Sequence, residues 1–148
     1  MSNRLALVAI FGAGMLAISC RGGQDSDPIP EAVPGSYVYS ANGSLANKLS
    51  WQIAANLDLK PDGTFALSLD KTTNGKRDST ERTHGTYTVS GDKIWITESK
   101  DAGGYRSRGS HGLTIRPDSL VGAVGWKDHL VLRGMGIPDP VFVKRRQI

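Results

Sequence analysis

Trp51-Gln52-Ile53-Ala54-Ala55-Asn56-Leu57-Asp58-Leu59-Lys60-Pro61-Asp62-Gly63-Thr64-Phe65 is the stretch that decides the fold. The odd positions Trp51, Ile53, Ala55, Leu57 and Leu59 are apolar, while Gln52, Asn56, Asp58 and Lys60 are polar. Successive side chains of a strand point to opposite faces, so this alternation predicts a half-buried β-strand. Pro61-Asp62-Gly63 fits a type I turn closed by a left-handed glycine. Pairing Lys60 with Thr64 then sets Leu59 opposite Phe65 and Leu57 opposite Leu67, so the two inner faces agree.

The same test extends along the chain. At Thr73-Asn74-Gly75 a strict two-residue turn would bring His84 opposite Phe65; a three-residue loop with Gly75 as a bulge keeps Thr83, Tyr87 and Val89 on the inner parity and is preferred. Residues 70–82 are almost wholly polar, which predicts a two-stranded ribbon projecting beyond the core. Ser90-Gly91-Asp92-Lys93 reads as a type II′ turn that pairs Val89 with Ile94 and Tyr87 with Ile96 and leaves Trp95 outward.

Residues 97–112 are Gly-rich and charged and read as loop. Strands resume at Leu113 and Ile115, turn at Pro117-Asp118, and return through Leu120, Gly122 and Val124; a further turn at residues 126–128 leads to Leu130 and Leu132. Residues 141–144 supply a last strand and residues 37–39 the first; a short helical turn is expected only within residues 44–54. The expectation is an all-β chain of eight or nine strands in sequential order, an antiparallel up-and-down meander that covers its apolar face by closing into a barrel.

Ahead of this domain, Arg4 is followed by an apolar run from Leu5 to Ala17 and then Ile18-Ser19-Cys20, the anatomy of an export signal. The run is short of the roughly 20 apolar residues that span a bilayer. Leu16-Ala17-Ile18-Ser19-Cys20 resembles a bacterial lipobox, with Leu16 displaced by one from the usual position. The resemblance implies that Cys20 is diacylated, the chain being cut just before it; ordinary cleavage leaving a free thiol is the alternative. Arg21, rather than Asp, follows the cysteine, which under the lipoprotein sorting rule points to the outer membrane, facing the periplasm. The expected organisation is a signal peptide at 1–19, a lipidated tether at 20–34 and a β-domain at 35–148. Fully extended as polyproline II, residues 21–34 would reach about 40 Å.

Composition narrows the function classes. The formal net charge of +4 is a mild excess that argues against nucleic acid as a partner. A single cysteine permits no internal disulfide, so an apolar core must carry the stability.

Three segments, residues 57–65 (LDLKPDGTF), 85–94 (GTYTVSGDKI) and 141–145 (VFVKR), resemble the lipocalin-like domains of small bacterial lipoproteins. Relatives include the N-terminal domain of the copper-homeostasis and envelope-stress lipoprotein, but its CxxC pair is absent here, so no copper or thiol role is carried over. The resemblance implies a lipocalin-like barrel and a role in binding an apolar ligand or docking another envelope protein.

Catalytic and metal chemistry finds little footing. His84, His111 and His129 are far apart in sequence with no Cys or Glu at ligand spacing, and Ser110-His111 lacks a nucleophile-elbow motif. No cofactor, metal or enzymatic activity is expected. Two features suit binding: the basic loop with Tyr105, Arg106 and Arg108, and the outward aromatics Trp95 and Trp126. Small residues Ala55 and Gly122 could leave an internal cavity, but inward Trp51, Phe65 and Tyr87 favour a packed one. The sequence thus points to a non-enzymatic, lipid-anchored envelope lipoprotein that binds a partner protein or a small amphiphilic ligand. An adaptor or inhibitor of an envelope enzyme, or an unrecognised hydrolase, are the alternatives.

Overall fold

The computed structural model describes residues 26–45, 48–99, 111–123, 125–126 and 138–146. Among these residues eight strands run in chain order: β1 (Gly35–Ser44), β2 (Ser50–Leu59), β3 (Thr64–Thr73), β4 (Lys76–Ser90), β5 (Lys93–Glu98), β6 (His111–Arg116), β7 (Ser119–Gly122) and β8 (Val141–Lys144). Each pairs antiparallel with its neighbour in sequence and β8 pairs with β1, giving a closed up-and-down barrel. The strand expected at Leu130 to Leu132 lies outside the described residues.

The register follows the alternation. Leu57 pairs with Leu67 and Leu59 with Phe65 across the Lys60 to Thr64 turn. There Gly63 holds φ at +82°, and the Asp62 carboxylate accepts hydrogen bonds from the Thr64 backbone N–H and hydroxyl. Those bonds hold the Asp62 carboxyl below the usual carboxylate range. Val89 pairs with Ile94 and Tyr87 with Ile96; Gly91 alone of its turn has positive φ, as a type II′ turn requires.

The β3–β4 hairpin departs from expectation in where its extra residue sits. Thr73 pairs directly with Lys76 around a two-residue turn, with Asn74 at φ +49° and Gly75 at +75°, and the bulge lies further down, between the Lys71–Ser79 and Thr72–Arg77 pairs. Asp78 is the inserted residue, and its carboxylate accepts the Thr73 hydroxyl. Asparagine tolerates the left-handed region, so the tight turn forms, and the bulge restores the parity that sets Thr83 opposite Leu67.

The polar ribbon is also wider than two strands. β2 pairs with β3 up to Trp51 and Thr73, and β1 pairs with β2 up to Ser44 and Ser50. Strands β1–β4 therefore outrun β5–β8 and form a four-stranded lobe at one end, here called the top. Between β1 and β2, Lys48 donates its backbone N–H to the Leu45 carbonyl and Leu45 to that of Leu49, while residues 46–47 of the segment expected to hold a helical turn lie outside the described residues. Gly85 marks the point where β4 passes from lobe to barrel, paired with both Phe65 and Glu98. A Cβ there would run into the Thr97 carbonyl oxygen and approach Phe65 Cε1 to 2.9 Å, so close packing across the curl demands glycine.

The inward parity fills the barrel. Tyr37, Ile53, Leu57, Leu59, Phe65, Leu67, Leu69, Tyr87, Val89, Ile94, Ile96, Leu113, Leu120 and Phe142 are buried in one continuous core. The bottom is closed by residues 27–34, which the sequence assigned to the tether. Asp27 donates its backbone N–H to the Val89 carbonyl and accepts the Gly91 N–H on its carboxylate, Ile29 packs on the core, and Val33 is buried beneath it. The Tyr37 hydroxyl donates to the Val33 carbonyl at 2.7 Å, and Lys144 Nζ donates to the Ala32 carbonyl at 2.6 Å. Among the described residues, packing thus reaches back from Gly35 at least to Asp27, because two apolar residues in a Pro-rich segment find the open floor of the barrel.

Two outcomes are expected. Leu57→Ala or Ile96→Ala should each cost about 2–5 kcal/mol in urea unfolding, whereas Gly75→Val, with no neighbour within 4 Å but φ in the left-handed region, should cost no more than about 1–2 kcal/mol. Burial raises the Tyr37 hydroxyl above its ordinary value, and its bond to Val33 exists only while it is protonated. That stability is complete below about pH 10 and is lost as pH rises through the raised value. Tyr37→Phe should therefore lower stability by about 1 kcal/mol at neutral pH and flatten the alkaline fall in Tm.

Candidate functional site

The top end gathers the polar side chains that the core does not absorb. On the inner face of the lobe, alternation continues past Leu69 to Lys71 and past Thr83 to Glu81, and the two meet in an ion pair at 2.7 Å. Both are partly buried, Lys71 lying opposite Ile53 on β2. Trp51 lies against Gly43, where a Cβ would come within 2.6 Å of its ring, so the glycine provides the bed for the indole. On the lobe's outer face, Asn42, Gln52 and Thr72 line up across three strands, with Ser44 and Ser50 above them. They border an open concavity of about 410 Å³.

Below the lobe, an aromatic cluster caps the core. Trp126 packs edge-on against Phe142 at 5.1 Å between ring centres, Phe142 meets Tyr39 at 5.6 Å, and His111 meets Trp126 at 5.6 Å. His111 pairs with Ile96 and points inward, buried; Glu98, two residues along β5, shares that face. Burial alone pushes the Glu98 carboxyl up. The Tyr39 hydroxyl is buried without a hydrogen-bond partner, and burial raises its pKa as well. Among the described residues no group of three or more His, Cys, Asp or Glu is placed to hold a metal ion.

The aromatics named from sequence separate. Trp95 stands outward and 46 % exposed, as its place in the β4–β5 register requires. Trp126 is the opposite of its outward assignment: it is 1 % exposed, seated on Phe142 and His111. Gly125, at φ +106° with His111 Nδ1 only 2.9 Å from where a Cβ would sit, takes the chain out of strand geometry there. Strand parity therefore stops applying before Trp126. Cys20, Tyr105, Arg106 and Arg108 lie outside the described residues. The anchors of the basic loop, Ser99 and His111, stand at the top end.

Sequence reasoning left one apolar surface unnoticed. Val141 and Val143 flank buried Phe142 and are 44 % and 51 % exposed. With Val38 and Ala54 they floor an outer groove of about 440 Å³, rimmed by Arg145, whose guanidinium donates to the Asn56 side-chain oxygen at 2.8 Å. The signal was available: once Phe142 is placed inward, alternation puts both valines outward.

This is a small, closed β-barrel whose described inward side chains are packed in one core. No known protein-family model matches the chain, and no curated protein matches it either.

The opposite placement of the two tryptophans has a direct consequence. Trp126→Ala should cost about 3–5 kcal/mol, while Trp95→Ala should cost under about 1 kcal/mol, both read from denaturant midpoints at constant slope.

Proposed function

We propose that this chain is a lipid-anchored protein of the bacterial cell envelope that acts by binding, with another envelope protein as its partner. The observation that supports a protein partner is the filled interior: large side chains occupy the barrel from Val33 at the floor to Leu69 and Ile53 near the top. The described groove that could take a small amphiphile lies on the outside of the barrel. The lobe offers hydrogen-bonding and charged groups on both faces, and the basic loop of Tyr105, Arg106 and Arg108 is anchored at the same end, a combination suited to an acidic protein surface. The lipobox-like Leu16 to Cys20 segment and the likeness to lipocalin-like lipoproteins support an outer-membrane address facing the periplasm. An adaptor or an inhibitor of an envelope enzyme would use the same surface.

A second reading is favoured by one observation, the outer groove with its valine floor and Arg145 rim, which suits a small anionic amphiphile. Chemical cross-linking in intact cells followed by pull-down distinguishes the two. A protein adduct that disappears with Arg106→Glu plus Arg108→Glu is the expected result. No adduct, together with a lipid retained in native mass spectrometry and released by Val143→Glu, would establish the amphiphile instead.

A further inference from the structure

The strands beside the seam carry an apolar face that the core does not use. Trp95, Val141 and Val143 are three of the four large hydrophobic side chains exposed among the described residues. Strand pairing gathers them: Gly112 lies opposite Trp95, with its Cβ position 3.3 Å from the indole and 3.7 Å from Ala123 Cβ. Val121 pairs with Val141, and Val143 with Val38, so one band crosses the outside from β5 to β1. Toward the bottom, outward positions hold exposed Lys93, Arg116 and Arg145. Asp92 offsets Lys93 in part at 3.9 Å, while the Arg145 guanidinium donates to the neutral Asn56 side-chain oxygen.

A second observation concerns how the chain reaches this face. Asp27 is pinned to Val89 and Gly91, at the turn that leads into β5. Only six residues separate Cys20 from Asp27, a reach of about 22 Å even at full polyproline II extension. A domain leashed so closely, and attached beside the strand that carries Trp95 and Lys93, cannot stand far from its anchor.

We propose that the Trp95–Val121–Val141–Val143 face rests on the surface of an anionic bilayer, the one holding Cys20; this relies on the reading of Cys20 as acylated. The indole and valines sit at the boundary between headgroups and acyl chains, and Lys93, Arg116 and Arg145 meet lipid phosphates. The lobe formed by β1–β4 remains free for a protein partner.

The test uses the full lipoprotein reconstituted into phosphatidylethanolamine–phosphatidylglycerol vesicles with brominated acyl chains. Flotation reads the anchor, and tryptophan quenching reads the face. The expected result is co-flotation with quenching that is largely lost in Trp95→Phe, which retains Trp51 and Trp126, and weakened in Val141→Glu, which retains all three tryptophans. Co-flotation without Trp95-dependent quenching overturns the bilayer contact while leaving the anchor intact. A single tightly held lipid in native mass spectrometry without such quenching assigns the groove to a free amphiphile and overturns it equally. Failure of the native chain to float removes the anchor and, with it, this inference.

Discussion

The reversal between Lys60 and Thr64 sets the phase of the whole barrel. A strand shifted by one residue turns every side chain to the other face. A slip here would send Leu57, Leu59, Phe65 and Leu67 to water together. The turn is held by local chemistry, with Asp62 accepting from Thr64 and Gly63 free to adopt positive φ. Tyr87 adds a tertiary lock, donating its backbone N–H to the Gly63 carbonyl and its hydroxyl to the Lys60 carbonyl. Every later strand inherits this register through its neighbour, including the bulge at Asp78, which corrects the phase that the tight Asn74-Gly75 turn would otherwise disturb.

The fold was legible wherever apolar alternation met a turn of known length. Leu57 with Leu67, Val89 with Ile94 and outward Trp95 all follow from counting across turns. Legibility failed where residues carry no inward or outward preference. Residues 70–82 are polar on both faces, so neither the width of the lobe nor the position of the bulge is written in their hydropathy. Residues 27–34 were missed for a related reason: Ile29 and Val33 are isolated among prolines, and their value appears only once a barrel floor exists for them to cover. Trp126 follows Gly125, beyond the reach of strand periodicity. The Lys71–Glu81 pair joins β3 to β4 at a spacing that has meaning only after the bulge is counted.

Among the described residues the floor is covered by residues 27–34 and the inward side chains form one buried core, and two surfaces stand outside it, the top and the seam side. The two differ in character. The lobe is polar, with an ion pair and a ladder of amides and hydroxyls, whereas the seam side is apolar with a basic rim. On the reading proposed above, attachment and recognition would use different faces of the barrel.

The seam itself has a kinetic consequence. All other pairings join strands adjacent in the chain, but closure rests on Tyr37 with Lys144 and Val38 with Val143, partners at opposite ends of the domain. Loop-closure entropy makes such contacts slow to form, so hairpins assemble first and the circle shuts last. Until it does, the edges of β1 and β8 are open ladders, and Val143 lies on one of them. Before closure a second copy could pair with either edge, and dilution would favour the monomer.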